Sequence, residues 1–202
     1  SGLSTTAATQ LESNQANADF GYSVSSAGDV NGDGYSDVIV GADLYDNGQT
    51  DEGAAFIYHG SSSGLSTTAA TQLEENQANA YFGNFVSSAG DVNGDGYSDV
   101  IVGANYYENG QNNEGAAFIY HGSSSGLSTT AASQLESNQA SAQFGYSVAS
   151  AGDVNGDGYS DVIVGAYRYD NPQSNEGAAF IYHGSSSGIS TTAASQLESN
   201  QV

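Results

Sequence analysis

The residues best equipped for chemistry recur as one string, DVNGDGYSD, which opens at Asp29, Asp91 and Asp153. Side-chain oxygens stand at its first, third, fifth and ninth positions. In the first copy these are Asp29, Asn31, Asp33 and Asp37; in the second, Asp91, Asn93, Asp95 and Asp99; in the third, Asp153, Asn155, Asp157 and Asp161. Alternate residues on a tightly curled loop can point at one centre, and Gly34, directly after the third of them, permits the sharp curl. The backbone carbonyl of Tyr35, and of Tyr97 and Tyr159 in the other copies, offers one more oxygen. An all-oxygen set with three carboxylates suits Ca2+, whereas Mg2+ prefers a stricter octahedron with more retained water. The expectation is three Ca2+ per chain, one for each copy.

Two other readings compete for the loop. An EF-hand shares this opening but needs a bidentate Glu at the twelfth loop position, where Val40 stands, and a helix on either side. Here a strand-like run, DVIVGA, follows at once, and the EF-hand reading fails. A metal-free turn is the plainer possibility, since Asp, Asn and Gly favour turns in any case. Against it stand three carboxylates that repel one another in a closed loop, and the recurrence of the pattern at constant phase.

The elements that must position these loops repeat with them. The step between copies is constant (91 − 29 = 62; 153 − 91 = 62), so the chain is three such units and a short remainder, 187–202, that returns to the phase of 1–16. A period this long, with several strand-like runs per unit, points to a propeller before a helical solenoid. In the first unit the spacing predicts strands over 20–28, 37–42 and 53–59, the latter two continuously apolar as if covered on both faces. A short outer strand is expected over 8–12, where Thr5, Thr6 and Thr9 favour extended backbone. The fold class is therefore all-β, a β-propeller of four-stranded antiparallel blades, three blades per chain. The units divide as an outer-strand segment, 1–16, then blades at 17–78, 79–140 and 141–202.

Phe20-Gly21, DVNGDGYSD and Val38-Ile39-Val40-Gly41-Ala42 together resemble the FG-GAP repeat of integrin α-subunit propellers and related bacterial surface proteins. The likeness covers all three units. One departure is that the Pro closing the family's signature is Asp43, Asn105 or Tyr167 here, at the start of a loop and away from the calcium ligands. The resemblance implies that the calcium hairpin joins the two inner strands on the lower face, where the metal is structural. It also implies an upper face, made by the loop between the second and third strands and by the connection 14–18, where ligands dock. In that loop Tyr45, Tyr107 and Tyr169 adjoin Asp46, Glu108 and Asp170. Rings beside carboxylates and amides suit a glycan or a protein partner. Nothing in this loop is obliged by its residue types to be buried.

Composition excludes several classes. One basic residue, Arg168, faces 23 acidic ones, for a formal charge of −22. Such a chain cannot neutralise phosphates, so no nucleic acid partner is expected, and anionic membranes repel it. No stretch of roughly 18 apolar residues occurs, so no membrane insertion is expected. The chain lacks Cys and starts at Ser1 without a signal pattern, which reads as a processed or excised segment. His59, His121 and His183 recur singly, too few for transition-metal ligation. The Ser-rich turns have no His-acid partner pattern, and no enzyme is expected. The function expected is a calcium-stabilised adhesion or protein-interaction module, extracellular or at the cell surface; the alternative is a propeller lectin that binds glycans. Propellers typically need four to eight blades, so the ring is expected to be completed by homo-oligomerisation, a dimer of six blades first; the alternative is that the three blades are a piece of a longer array whose other blades close the ring.

Overall fold

The structure, a computed structural model, describes residues 5–199. Twelve strands form three four-stranded antiparallel sheets, each in sequence order, and no helix occurs among the described residues. The first sheet comprises β1 (Ser23–Gly28), β2 (Asp37–Ala42), β3 (Ala54–Tyr58) and β4 (Thr71–Leu73). The second comprises β5 (Phe82–Gly90), β6 (Asp99–Ala104), β7 (Ala116–Tyr120) and β8 (Ser133–Leu135). The third comprises β9 (Phe144–Gly152), β10 (Asp161–Ala166), β11 (Ala178–Tyr182) and β12 (Ser195–Leu197).

Within each sheet, β-branched and aromatic residues pair across the two central strands, as in Val38 with Tyr58, Ile39 with Ile57 and Val40 with Phe56. Their side chains alternate between two apolar faces. One face of the first sheet carries Ile39, Ile57 and Leu73, which pack against Phe82, Val102 and Phe118 of the second. The second sheet meets the third in the same way, through Ile101, Ile119 and Leu135 against Phe144, Val164 and Phe180. Two layers of the core lie between sheets, which is why all of β6 and β7 is buried, and a third, smaller one lies on the open side of the first sheet, where Leu11, Phe20 and Leu65 pack on Val40, Phe56 and Tyr58.

The outermost faces are covered only in part. Val24 is 64% exposed, whereas Val86 and Val148, at the same phase, are 5% and 6% exposed. On the other side Leu197 is 53% exposed against 1% for Leu73 and Leu135. Glycine marks how closely the sheets approach. A Cβ on Gly41 would lie 2.0 Å from the Gly83 carbonyl oxygen, and one on Gly103 2.1 Å from that of Gly145. A Cβ on Gly165 would meet nothing nearer than 3.5 Å.

Two expectations need correction. The strand expected over 20–28 begins only at Ser23, although its counterparts β5 and β9 start at the Phe. Phe82 and Phe144 are held in line by their N–H groups, which donate to the Glu52 and Glu114 carbonyls of the preceding blade (2.9 and 2.8 Å), and no such bond from Phe20 is found among the described residues. The described part of 1–16 holds no strand, because the three-residue outer strands form by pairing with a preceding third strand, as Thr71–Leu73 does with Ala55–Ile57. Residues 1–4 and 200–202 of the expected units lie outside the described residues. Leu11 nevertheless packs on the Val40–Phe56 face, and Gln15 pairs its side chain with the backbone of Asp46 (2.8 Å each way). Gln77 holds Glu108 in the same manner. The segment 5–16 thus sits where a preceding blade's outer strand would sit.

Candidate functional site

The DVNGDGYSD loops are the turns from first to second strand, so antiparallel topology puts them at one end of the blades and the 43–53 loops at the other. Each loop is organised by its own acids. In the first, the N–H groups of Gly32 and Asp33 donate to Asp29 Oδ1 (2.7 and 3.1 Å), and that of Gly34 donates to Oδ2 (2.8 Å). Asp33 accepts from Tyr35 N–H (2.9 Å) and from the Asn31 amide (3.1 Å). Gly32 and Gly34 have φ of 73° and 87°, a left-handed curl that a side chain would strain. The loops around Asp91 and Asp153 repeat these bonds. Amide donation favours the charged form, and it holds the Asp153 carboxyl below the usual carboxylate range.

The ninth residue behaves differently. Asp37, Asp99 and Asp161 are fully buried at the start of the second strand. Asp99 accepts from Val92 N–H (2.8 Å) and Gly122 N–H (3.0 Å), thereby tying the loop to the turn after β7. Burial pushes its carboxyl up to about 6, against the pull of those two amides and of His121. The loops also join blades: the Ser98 hydroxyl accepts from Asp29 N–H (3.1 Å), and Ser98 N–H donates to the Asp29 carbonyl (2.9 Å).

In donor type the loops fit a hard divalent cation: carboxylates, an amide oxygen and a backbone carbonyl on one short curl. Their side chains here are turned onto backbone amides. No group of three or more His, Cys, Asp or Glu side chains converges on a metal position among the described residues.

At the opposite end, the sequence misjudged the tyrosines. Tyr45, Tyr107 and Tyr169 turn inward and pack edge-on against Phe56, Phe118 and Phe180, with ring centroids 5.2–5.3 Å apart. Asp46, Glu108 and Asp170 stay exposed, and the Asp46 and Asp170 side chains brace their own loops through Asp51 N–H and Asn175 N–H. Buried Glu52 and Glu114 hold the same loops from beneath by accepting from Asn47 N–H and Asn109 N–H. The expected array of open rings beside acids is not formed.

Sequence reasoning missed a cavity of about 190 Å³ where the three sheets meet at this end. Its aromatic walls are Tyr22, Tyr81, Tyr106, Tyr146 and Tyr167, and its polar residues are Asp43, Asn84, Asn105 and Gln143. These residues differ from copy to copy, and that difference is the signal that could have found them.

Comparison with known proteins agrees with this architecture. The FG-GAP repeat pattern matches residues 20–58, 82–120 and 144–182. Integrin alpha-IIb of Mus musculus is 37% identical over 166 residues, covering 78% of this chain and 16% of the relative. Integrin alpha-5 of Xenopus laevis is 33% identical over 180 residues (85% and 17%), and integrin alpha-V of Gallus gallus 36% over 160 (75% and 15%). The chain thus spans about one sixth of the length of these relatives. Three sheets of four strands, each containing one matched repeat, make this chain a member of the FG-GAP repeat family.

Proposed function

We propose that the chain is a calcium-stabilised propeller module of adhesion or protein-interaction type, working outside the cell or at its surface, and not an enzyme. The observation that carries the calcium reading is the threefold identical loop, in which the carboxylates of Asp29, Asp91 and Asp153 sit inside a curl of glycines and amides. Asp29, Asn31, Asp33, Asp37 and the Tyr35 carbonyl would hold one Ca2+, and the equivalent residues of the other copies two more. The ion supplies charge neutralisation and cross-linking, with no chemical step. Three Ca2+ take the formal charge from −22 to −16 (−22 + 3 × 2). Because Asp29 bonds to Ser98 of the next blade, filling a loop also stiffens the junction between blades. Thermal melts in chelator and in millimolar calcium test this by mass action. A higher melting temperature in calcium is the expected result; coincident melts would remove the metal from the account.

The integrin relatives support the adhesion class, and the absence of a nucleophile–base pair in the sequence argues against catalysis. The open faces at Val24 and Leu197 support completion of the ring by like blades, a second copy of the chain giving six. Leu11 already occupies an outer-strand position, so 5–16 would pair with the partner's third blade in place of that blade's exposed β12.

A further inference from the structure

The three copies, 1–62, 63–124 and 125–186, differ at thirteen positions of the unit: 9, 13, 17, 19, 22, 23, 25, 43, 44, 46, 48, 50 and 51 in the first copy's numbering. All three build the same sheet, so the shared residues include those the fold requires, and the differing ones are released from it. Every residue lining the central cavity falls at position 19, 22, 43 or 44. A cavity made wholly from the divergent positions of a near-identical repeat is not a by-product of the shared core.

Its chemistry is specific. Asp43, Asn84, Asn105 and Gln143 are only 8%, 4%, 5% and 2% exposed. Each keeps a side-chain oxygen without a hydrogen-bond partner: Asp43 Oδ1, Asn84 Oδ1, Asn105 Oδ1 and Gln143 Oε1. Buried polar atoms are normally paired, so four orphans around one cavity mark donors that come from outside the chain. Three of the four groups are neutral amides, which both donate and accept, as sugar hydroxyls do. The tyrosines of the wall pack on one another, Tyr81 edge-on to Tyr106 (centroids 5.0 Å apart) and Tyr146 tilted against Tyr167 (4.3 Å), and supply the aromatic surface on which a pyranose ring stacks. The one charged side chain in the lining is acidic, Asp43, and Arg168 lies against the Tyr167 ring, 5.2 Å from its centroid, without entering the lining.

We infer that this cavity binds one neutral pyranose unit of a glycan, stacked on tyrosine and hydrogen-bonded by Asp43, Asn84, Asn105 and Gln143. The inference rests on reading the chain as a binding module and names the chemistry of its ligand. The probes are glucose, galactose, mannose, fucose and N-acetylglucosamine, offered singly to the full chain in calcium buffer and followed by saturation-transfer NMR and calorimetry. At least one is expected to bind with a dissociation constant of about 10⁻³ M, ordinary for a ligand of this size. The variants are swaps between copies at rings of the wall that are only partly buried or exposed: Tyr81→Gln, Tyr106→Leu and Tyr146→Asn. Each is expected to weaken binding tenfold or more while leaving the circular-dichroism melt in place. Three results would overturn the inference: no sugar bound at tens of millimolar, binding unchanged by all three swaps, or binding of methylguanidinium instead of any sugar. The calcium melts are read independently, so failure here is distinguishable from failure of the module reading.

Discussion

Alanine at Gly41, Gly103 and Gly165 separates the contacts within the blade stack from its open end. The three glycines share one phase in β2, β6 and β10, and none has a positive φ, so alanine is free of backbone strain at each. What differs is the neighbour. The new methyl meets backbone oxygen at 2.0 Å from Gly41 and 2.1 Å from Gly103, well inside contact distance, and a carbonyl cannot swing aside as a side chain can. Two sheets must then separate, at a cost at or above the upper end of the roughly 1–3 kcal/mol usual for overpacking. At about 2–4 °C per kcal/mol for a chain of this length, each variant should melt roughly 6–12 °C lower. At Gly165 the nearest atom is 3.5 Å away, so Gly165→Ala should be neutral or stabilise by up to about 1 kcal/mol through the unfolded chain. The same substitution has a second effect if the ring closes. A second copy docked as blade 2 docks on blade 1 would bring its Gly21 carbonyl against that methyl. Gly165→Ala should therefore fold normally but sediment as a 20.5 kDa monomer, where the parent is expected at twice that mass. Thermal melts and sedimentation equilibrium in calcium buffer read both effects. Equal melting shifts in all three variants would refute the blade packing, and a monomeric parent would refute ring completion by a second copy.

Three further outcomes follow. Asp99→Ala leaves the buried N–H groups of Val92 and Gly122 without an acceptor, and should cost about 2–5 kcal/mol in urea melts run in chelator, where metal plays no part. Tyr107→Ser removes a half-buried ring from Phe118 and should cost about 2 kcal/mol; a change within about 0.5 kcal/mol would return the ring to solvent. Burial, and the negative charges of Asp19 and Asp51, raise the Asp43 carboxyl to about 6. The folded chain then binds the proton more tightly than the unfolded one, so this group's contribution to stability falls as pH rises from about 4 to 6. Asp43→Asn, which copies the residue at Asn105, should therefore stabilise at pH 7 by about 1–2 kcal/mol, allowing for the water-open cavity, and by nothing near pH 4. A gain that persists at pH 4 would exclude the charge as its cause.

The sequence is most legible where one physical preference acts alone. DVIVGA and AAFIY are short, apolar and rich in β-branched or aromatic residues, and they are strands in all three copies. Legibility fails where a neighbour decides. TQL is a strand at 71–73 because Ala55–Ile57 lies beside it, and the same letters at 9–11 are not. Phe82 and Phe144 extend β5 and β9 through bonds to the Glu52 and Glu114 carbonyls of the preceding blade, whereas Phe20 stands outside β1. The inward turn of Tyr45 escaped a reading by polarity, because its loop is polar while its ring finds Phe56. The acid pattern of the loops was plain in the letters. The two roles inside it were not: exposed Asp33 curls the loop, while buried Asp37 ties Val30 to Gly60.

Calcium stoichiometry bears most directly on the central claim. Isothermal titration of the chelator-stripped chain should fit three sites per chain with dissociation constants of about 10⁻⁴–10⁻³ M, the range of extracellular modules. Asp33→Ala, Asp95→Ala and Asp157→Ala should each remove one site and leave two. Absence of binding heat in the parent chain, or an unchanged stoichiometry in those variants, would contradict it.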